Sequence, residues 1–155
     1  MTPPLPLPPL SARQVELVRG SFARVRPMSR TVAELFYARL FATAPRTQSL
    51  FQGDMAEQGA KLMATLGFVV GGLGRLDALL PAVGDLARRH VAYGVTEDLY
   101  APVGEALIWT LKQGFGDEFT PEVEAAWALA YGHLSTAMVE AARTGVPSAA
   151  AHAAE

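Results

Sequence analysis

Apolar side chains recur along this chain at the three- and four-residue spacing of amphipathic α-helices. The first segment begins at Ser11, and Gln14 stands three residues later, which is the pattern of a capping box that starts a helix. The apolar stripe that follows consists of Val15, Val18, Phe22 and Val25. Pro27 is expected to end this helix, because proline cannot donate the backbone hydrogen bond of a helix interior.

The same spacing, broken by prolines and glycines, continues to the end of the chain. It predicts helices over about residues 11–27, 32–45, a short turn to 51, then 55–70, 77–90, 98–116 and from 120 onward. No segment alternates with a period of two for long enough to be a strand. The chain is therefore predicted to be all-α, with about seven helices whose unequal lengths disfavour a symmetric four-helix bundle.

The chain is more apolar than a small domain needs to be. Hydrophobic residues make up 50% and charged residues only 18%. The central helix over residues 55–70 is apolar on more than one face, which predicts burial on two sides. Its apolar residues are Leu62, Met63, Leu66, Phe68, Val69 and Val70. A bound apolar molecule or an oligomer interface would account for this surplus.

Composition excludes several classes of protein. The net charge of −2 gives no reason to expect nucleic acid or an anionic membrane as partner. The longest nearly apolar run, residues 62–74, is too short to span a bilayer. The start of the chain lacks the basic region of a secretory signal, so a cytoplasmic protein is expected.

The chain is long enough for one domain of 155 residues. Residues 1–10 are rich in proline and are expected to form an extended arm. The domain itself is predicted over residues 11–144. The alanine-rich tail over residues 145–155 is expected to fray.

His90 is the candidate for metal chemistry. The chain has three histidines and no cysteine, and His90 has no second ligand at metal-site spacing. A lone histidine cannot hold zinc, which needs three or four protein ligands. It can hold the iron of a haem, because the porphyrin supplies four nitrogens and the protein adds one. The alternative is a histidine that is only a polar core or surface residue.

Several motifs follow one another in a specific order: LFYARLF, SLFQGD, EQGAKLM, LARRHVAYGV, LYAPVGEAL and EAAWALAYGHL. Over about residues 11–142 this order resembles the bacterial globins, namely single-domain haemoglobins of the Vitreoscilla type and the haem domain of flavohaemoglobins. The resemblance implies a globin fold around a haem pocket. Since no Cys-x-x-Cys-His run is present, the expected cofactor is a non-covalently held haem b.

The resemblance also implies a role for each matched residue. His90 would be the proximal iron ligand, and Tyr37 and Gln58 the distal residues that act on a bound gas. The cofactor-contacting residues would be Phe41, Phe51, Lys61, Leu62, Val95, Tyr100 and Val103. Of these, Tyr100 would hydrogen-bond near His90, and Lys61 would either reach a haem propionate or stay solvated. Tyr37 could instead be a core tyrosine, and Gln58 surface polarity at a helix start.

The distal pair makes chemical sense. A phenol and a carboxamide are neutral hydrogen-bond donors, suited to stabilise the partial negative charge of bound oxygen. In an apolar pocket each bond contributes about 1–1.5 kcal/mol, so losing both would speed oxygen release roughly tenfold to a hundredfold.

Two departures from flavohaemoglobins are expected to matter. The chain ends at Glu155 without flavin and nicotinamide domains, which predicts an external source of electrons. Ala142 stands where the resemblance places a glutamate near the proximal histidine. Glu140, two residues away, is about 200° around the helix and should face elsewhere. A weaker electron push on His90 is therefore expected.

Three functions are compatible with this sequence. The first is a haem globin that reversibly binds O2, NO or CO, with possible nitric oxide dioxygenase activity given an external reductase. The second is a globin-fold gas or redox sensor, or an interaction module without turnover, active as a monomer or homodimer. Its interface would use small residues of the last helix: Ala125, Ala126, Ala130 and Ala137. The third and weakest is a carrier of fatty acids or other apolar ligands.

Overall fold

The computed structural model describes residues 8–51 and 53–152, and of the side chains in that part all but those of 76, 77 and 144–152. It contains six α-helices and no strand among these residues, which confirms the all-α prediction. The helices are α1 Ala12–Val25, α2 Ser29–Thr43, α3 Met55–Gly71, α4 Leu76–Ala92, α5 Tyr100–Phe115 and α6 Pro121–His152. The seventh expected helix, the short turn to residue 51, is a 3-10 helix over Pro45–Leu50.

The helix starts follow the caps in the sequence. The Ser11 hydroxyl accepts from the Gln14 amide at 3.1 Å and the Gln14 side chain accepts from the Ser11 amide at 2.9 Å, which confirms the capping box. Asp54 caps α3 by accepting from the Ala56 amide at 2.8 Å. At the other end of the chain α6 continues to His152, past Gly145 where fraying was expected. Residues 1–7 of the arm and 153–155 of the tail lie outside the described residues, and the division into arm, domain and tail stays a prediction.

Two clusters of buried side chains hold the helices together. The larger one draws on α1, α2, α3, α5 and α6, with Trp127 and Phe22 among its largest members. The smaller one joins α4 to α6 through Leu79, Val83, Ala87 and Met138. In the described part of the chain α3 packs on α1 and α2, whereas α4 packs on α6. The two helices that carry Gln58 and His90, α3 and α4, therefore pack mainly on different partners.

Burial corrects two expectations about apolar surface. Phe68 of α3 is 55% exposed, so the central helix is not covered on every apolar side. Ala126 and Ala130 are 0% and 7% exposed and belong to the core, so the expectation that these two residues form a small-residue interface of α6 is wrong. Within residues 8–51 and 53–152, no helix has both the length and the hydropathy that crossing a bilayer requires.

Candidate functional site

His90 lies in the last turn of α4 with its ring fixed by its own helix. Its Nδ1 is 2.8 Å from the carbonyl oxygen of Leu86, and since a carbonyl can only accept, Nδ1 carries the proton. Among the described residues Nε2 has no hydrogen-bond partner. The ring therefore presents the lone pair of Nε2, the atom with which a neutral imidazole binds a metal ion.

The surroundings of His90 favour this neutral form. The ring is half-buried, and burial lowers the pKa of His90 because it penalises the charged form. The nearby charge of Arg89 lowers the pKa further, while the bond to the Leu86 carbonyl acts in the opposite direction. A lowered pKa keeps the imidazole deprotonated at Nε2 near neutral pH.

An aromatic cluster lies where α2 meets the segment that precedes α3. The ring of Tyr37 lies 5.0 Å from that of Phe51 and 5.8 Å from that of Phe41, measured between centroids, and Phe41 and Phe51 are 5.7 Å apart. These three side chains come from α2 and from the residue that follows the 3-10 helix. The structure thus brings together three of the residues that the resemblance assigned to one pocket.

Tyr37 also links α2 to α3. Its hydroxyl donates to the backbone carbonyl of Gln58 at 3.2 Å, which is longer than the roughly 2.5–3.0 Å usual for an O–H···O bond. Tyr37 is 7% exposed, and burial raises its pKa to about 12, so the phenol remains a neutral donor at physiological pH. Gln58 is half-buried in the first turn of α3, which places Tyr37 and Gln58 side by side.

The apolar residues assigned to the pocket share one property. They are half-buried, while their neighbours on the same helices, such as Phe36, Leu40 and Met63, are buried. The half-buried set is Phe41, Phe51, Leu62, Val95 and Val103. Covering such surface is favourable by about 25 cal/mol per Å². A flat apolar molecule such as haem, lying against these side chains, would supply that cover, so their partial burial fits the implied cofactor.

Other assigned residues are placed less decisively. Lys61 is exposed, which is compatible with either of its two expected positions. Within the described residues no hydrogen bond joins His90 to Tyr37, Gln58 or Tyr100. The roles given to the individual residues stay predictions.

Sequence reasoning missed the role of Tyr131. Its hydroxyl donates to the carbonyl of Tyr100 at 2.6 Å, and this bond ties α6 to the first residue of α5. Burial raises the pKa of Tyr131 and, together with the charge of Glu97, that of Tyr100. A tyrosine on the apolar stripe of a helix indicates only that its hydroxyl needs a hydrogen-bond partner. Which group is that partner depends on how the helices pack.

Gly104 makes room for Tyr131, which leads to a prediction. A Cβ at position 104 would lie 2.6 Å from a ring carbon of Tyr131, so Gly104→Ala should displace the ring and lower the free energy of unfolding by about 1–3 kcal/mol. Gly114→Ala is the matched control on the same helix, because its Cβ meets nothing within 4 Å and should be neutral or stabilising. Chemical denaturation measures both. Equal stability of the two variants would contradict the close packing.

Two grooves on the outside of the molecule are separate from this site. One of about 410 Å³ lies between α4 and α6 beside Leu80 and Ala137, and one of about 480 Å³ lies between α5 and α6 beside Trp109. Neither includes Tyr37 or His90.

No group of three or more acidic or histidine side chains in the described part could hold a bare metal ion. The described residues therefore form no site that needs three or more protein ligands, whereas a haem needs only one.

A family model for Globin matches residues 34–138, most of the chain and all of the site described above. The chain belongs to the globin family. Membership implies haem binding and a diatomic gas as ligand, and it confirms the family resemblance of the sequence.

Curated relatives of this globin include flavohemoproteins. Flavohemoproteins of Deinococcus radiodurans and Bordetella parapertussis are each 29% identical to it over 133 residues, which cover 84% of this chain and 33% of each relative. The chain thus spans about a third of the length of the curated relatives that it matches.

Solved structures support the same fold. An engineered carbene transferase from Rhodothermus marinus is 26% identical, with a TM-score of 0.80, and the match covers 91% of this chain and 99% of that one. A bacterial globin from Campylobacter jejuni has a TM-score of 0.77 at 20% identity, over 86% of this chain and 97% of its own. The latter likeness concerns the fold alone.

Proposed function

We propose that this globin holds a non-covalent haem b through Nε2 of His90, reversibly binds O2, NO or CO, and acts as a nitric oxide dioxygenase when an external reductase supplies electrons. The observation that carries the proposal is the His90–Leu86 hydrogen bond, which leaves a neutral imidazole with Nε2 as its metal-binding atom. The half-buried apolar side chains assigned to the pocket support the proposal, because a flat apolar molecule would cover their exposed surface.

When bound, the haem supplies a ferrous iron at which a diatomic gas can bind. The chain contributes orientation, exclusion of water and hydrogen bonds. His90 is held in one ring orientation by Leu86. Leu62 and Phe51 would exclude water on the side of the haem where the gas binds, and Val95 and Val103 would cover the side of His90. The exposed Lys61 would pair with a haem carboxylate.

The distal donors would act on the bound gas. The Tyr37 hydroxyl can exchange its long bond to the Gln58 carbonyl for one to the ligand, since a 3.2 Å bond is easily given up. The raised pKa of Tyr37 means that it donates a hydrogen bond without releasing its proton. A Gln58 carboxamide donor would add to this bond. Two neutral donors stabilise developing negative charge without protonating the ligand.

Nitric oxide dioxygenase turnover requires an electron in addition to gas binding. The balanced reaction combines NO, O2 and one electron to give nitrate. The flavohemoprotein relatives, and an engineered relative derived from a protein grouped with nitric oxide dioxygenases, support this chemistry. The flavohemoprotein relatives suggest a reductase partner, so the electron is expected from a flavin-containing reductase.

Reconstitution tests the proposal. Purified protein loaded with haem should show a strong Soret band and, with O2, NADPH and a flavin-containing reductase, should consume NO with nitrate as product. The controls are the reductase alone and myoglobin with the same reductase. NO consumption no faster than that of myoglobin would remove the dioxygenase activity and leave gas binding. Absence of a Soret band would remove both.

A further inference from the structure

The segment between α4 and α5, residues 93–99, is bonded directly to the backbone of His90. The carbonyl of His90 accepts from the amide of Val95 at 2.9 Å and from that of Tyr93 at 3.1 Å. Gly94 has a φ of 97°, in the left-handed region that glycine tolerates, which lets the chain turn back on itself here. A displacement of this α4–α5 connection would therefore move the last turn of α4, which carries His90.

Two consecutive carboxylates hold the other half of the α4–α5 connection. Arg143 of α6 forms a bidentate pair with Glu97, with Nε 2.8 Å and Nη2 2.6 Å from its two oxygens. Arg46, from the 3-10 helix after α2, donates to Asp98 at 2.9 Å. The Thr96 hydroxyl also donates to the Asp98 carboxylate.

The two arginines come from different parts of the fold. Arg143 lies late in α6. Arg46 lies on the same 3-10 helix as Leu50, whose side chain is 3.4 Å from the position that a Cβ at Gly94 would occupy. The α4–α5 connection is thus held to α6 by Glu97 and to the segment before α3 by Asp98. The hydrogen bond from Arg143 keeps the pKa of Glu97 below its usual range. The pKa of Asp98 is lowered mainly by the Thr96 hydroxyl and further by Arg46, so both carboxylates stay ionised.

Exposed ion pairs contribute little to global stability, because water screens them and long side chains lose entropy on pairing. A bidentate arginine pair nevertheless fixes direction as well as distance. Its consequence here is for the position of the α4–α5 connection rather than for the free energy of unfolding.

We propose that Arg143, by binding Glu97, is a positioning residue that sets the orientation of His90 toward the haem, with Arg46 acting in the same way through Asp98. The proposal rests on haem ligation by His90. It adds that the orientation of the imidazole depends on side chains outside the pocket, which reach it through the hydrogen bond between Val95 and His90.

The experiment compares Arg143→Gln with the unchanged full-length chain. Amide hydrogen exchange at Val95 should be roughly threefold faster in the variant, because its bond to His90 opens more often. In haem-loaded protein the iron–histidine stretching frequency should shift, and haem transfer to an excess of apomyoglobin should be roughly threefold faster. Arg143→Lys should show a smaller change in each of these measurements than Arg143→Gln, since lysine keeps the charge but loses the bidentate geometry.

The matched control is Arg13→Gln. Arg13 forms a bidentate pair with Glu122 whose side chains are 67% and 52% exposed, against 66% and 50% for Arg143 and Glu97, and it joins α1 to α6. It should leave all three measurements unchanged. Equal effects of Arg143→Gln and Arg13→Gln would overturn the proposal. The Val95 exchange measurement does not need haem, so its outcome is separate from a failure of haem ligation, which would be seen as an unchanged spectrum in His90→Ala.

Discussion

Replacement of His90 by alanine is expected to abolish stable haem binding. The porphyrin supplies four iron ligands and the protein supplies the fifth, so removing the imidazole removes the coordination bond between protein and iron. Within the described residues no second histidine shares this site, since His133 bonds to the carbonyl of Pro8. The affinity for haem should fall at least about a hundredfold, on the order of 3 kcal/mol. Titration of the apoprotein with haem, followed at the Soret band, measures this change.

The control for this experiment is His133→Ala. His133 is also a half-buried histidine on a helix, and its Nε2 lies 2.7 Å from the Pro8 carbonyl. Its loss should leave the Soret band and the affinity for haem unchanged. An intact band in His90→Ala, or an equal loss in both variants, would show that His90 does not bind the iron. Addition of imidazole to His90→Gly should restore the band if the site itself remains folded.

Replacement of Tyr37 by phenylalanine is expected to raise the rate of oxygen dissociation about tenfold. One hydrogen bond from a neutral phenol in an apolar pocket is worth about 1–1.5 kcal/mol, and 1.4 kcal/mol corresponds to a factor of ten. The ring keeps its contacts with Phe41 and Phe51, because only the hydroxyl is removed. Stopped-flow displacement of oxygen by CO from the ferrous protein measures the rate.

The hydroxyl of Tyr37 has a second role that must be separated from the first. It bonds to the Gln58 carbonyl, so Tyr37→Phe should also lower the free energy of unfolding by about 1 kcal/mol. Tyr93→Phe is the control for loss of a tyrosine hydroxyl, because Tyr93 is 66% exposed and outside the aromatic cluster. An unchanged oxygen dissociation rate in Tyr37→Phe, with the loss of stability present, would remove Tyr37 from ligand binding.

Much of the fold could be predicted because its signals are local. The capping box of Ser11 and Gln14 starts α1 where it was expected, since both bonds lie within four residues. The short turn to residue 51 was harder, because α and 3-10 turns differ only in a hydrogen bond that spacing does not reveal. The prediction that Ala126 and Ala130 belong to a small-residue interface of α6 was wrong for a related reason. A stripe of alanines shows that a helix can be approached closely, and only packing shows that Ala126 and Ala130 are already covered by the core.

The site was predictable to a different degree for each residue. His90 could be singled out because the chemistry of a lone histidine narrows the possible metals. Tyr37, Phe41 and Phe51 came from the family resemblance, and the structure places their rings in one cluster. The contacts of Tyr131 with Tyr100 and Gly104 could not be predicted, because the partners are about thirty residues apart and meet only when α5 packs on α6.

The sequence by itself determined that this chain is helical and where most helices begin, and it singled out His90 as the candidate ligand of a haem iron. These properties depend on caps, periodicity and side-chain chemistry, all of which act over a few residues. Only the tertiary structure decided that α3 and α4 join different clusters of buried side chains. It also decided that Arg143 meets Glu97 beside the turn that follows His90. Such pairings follow from how whole helices pack, and that depends on the burial of all their faces at once.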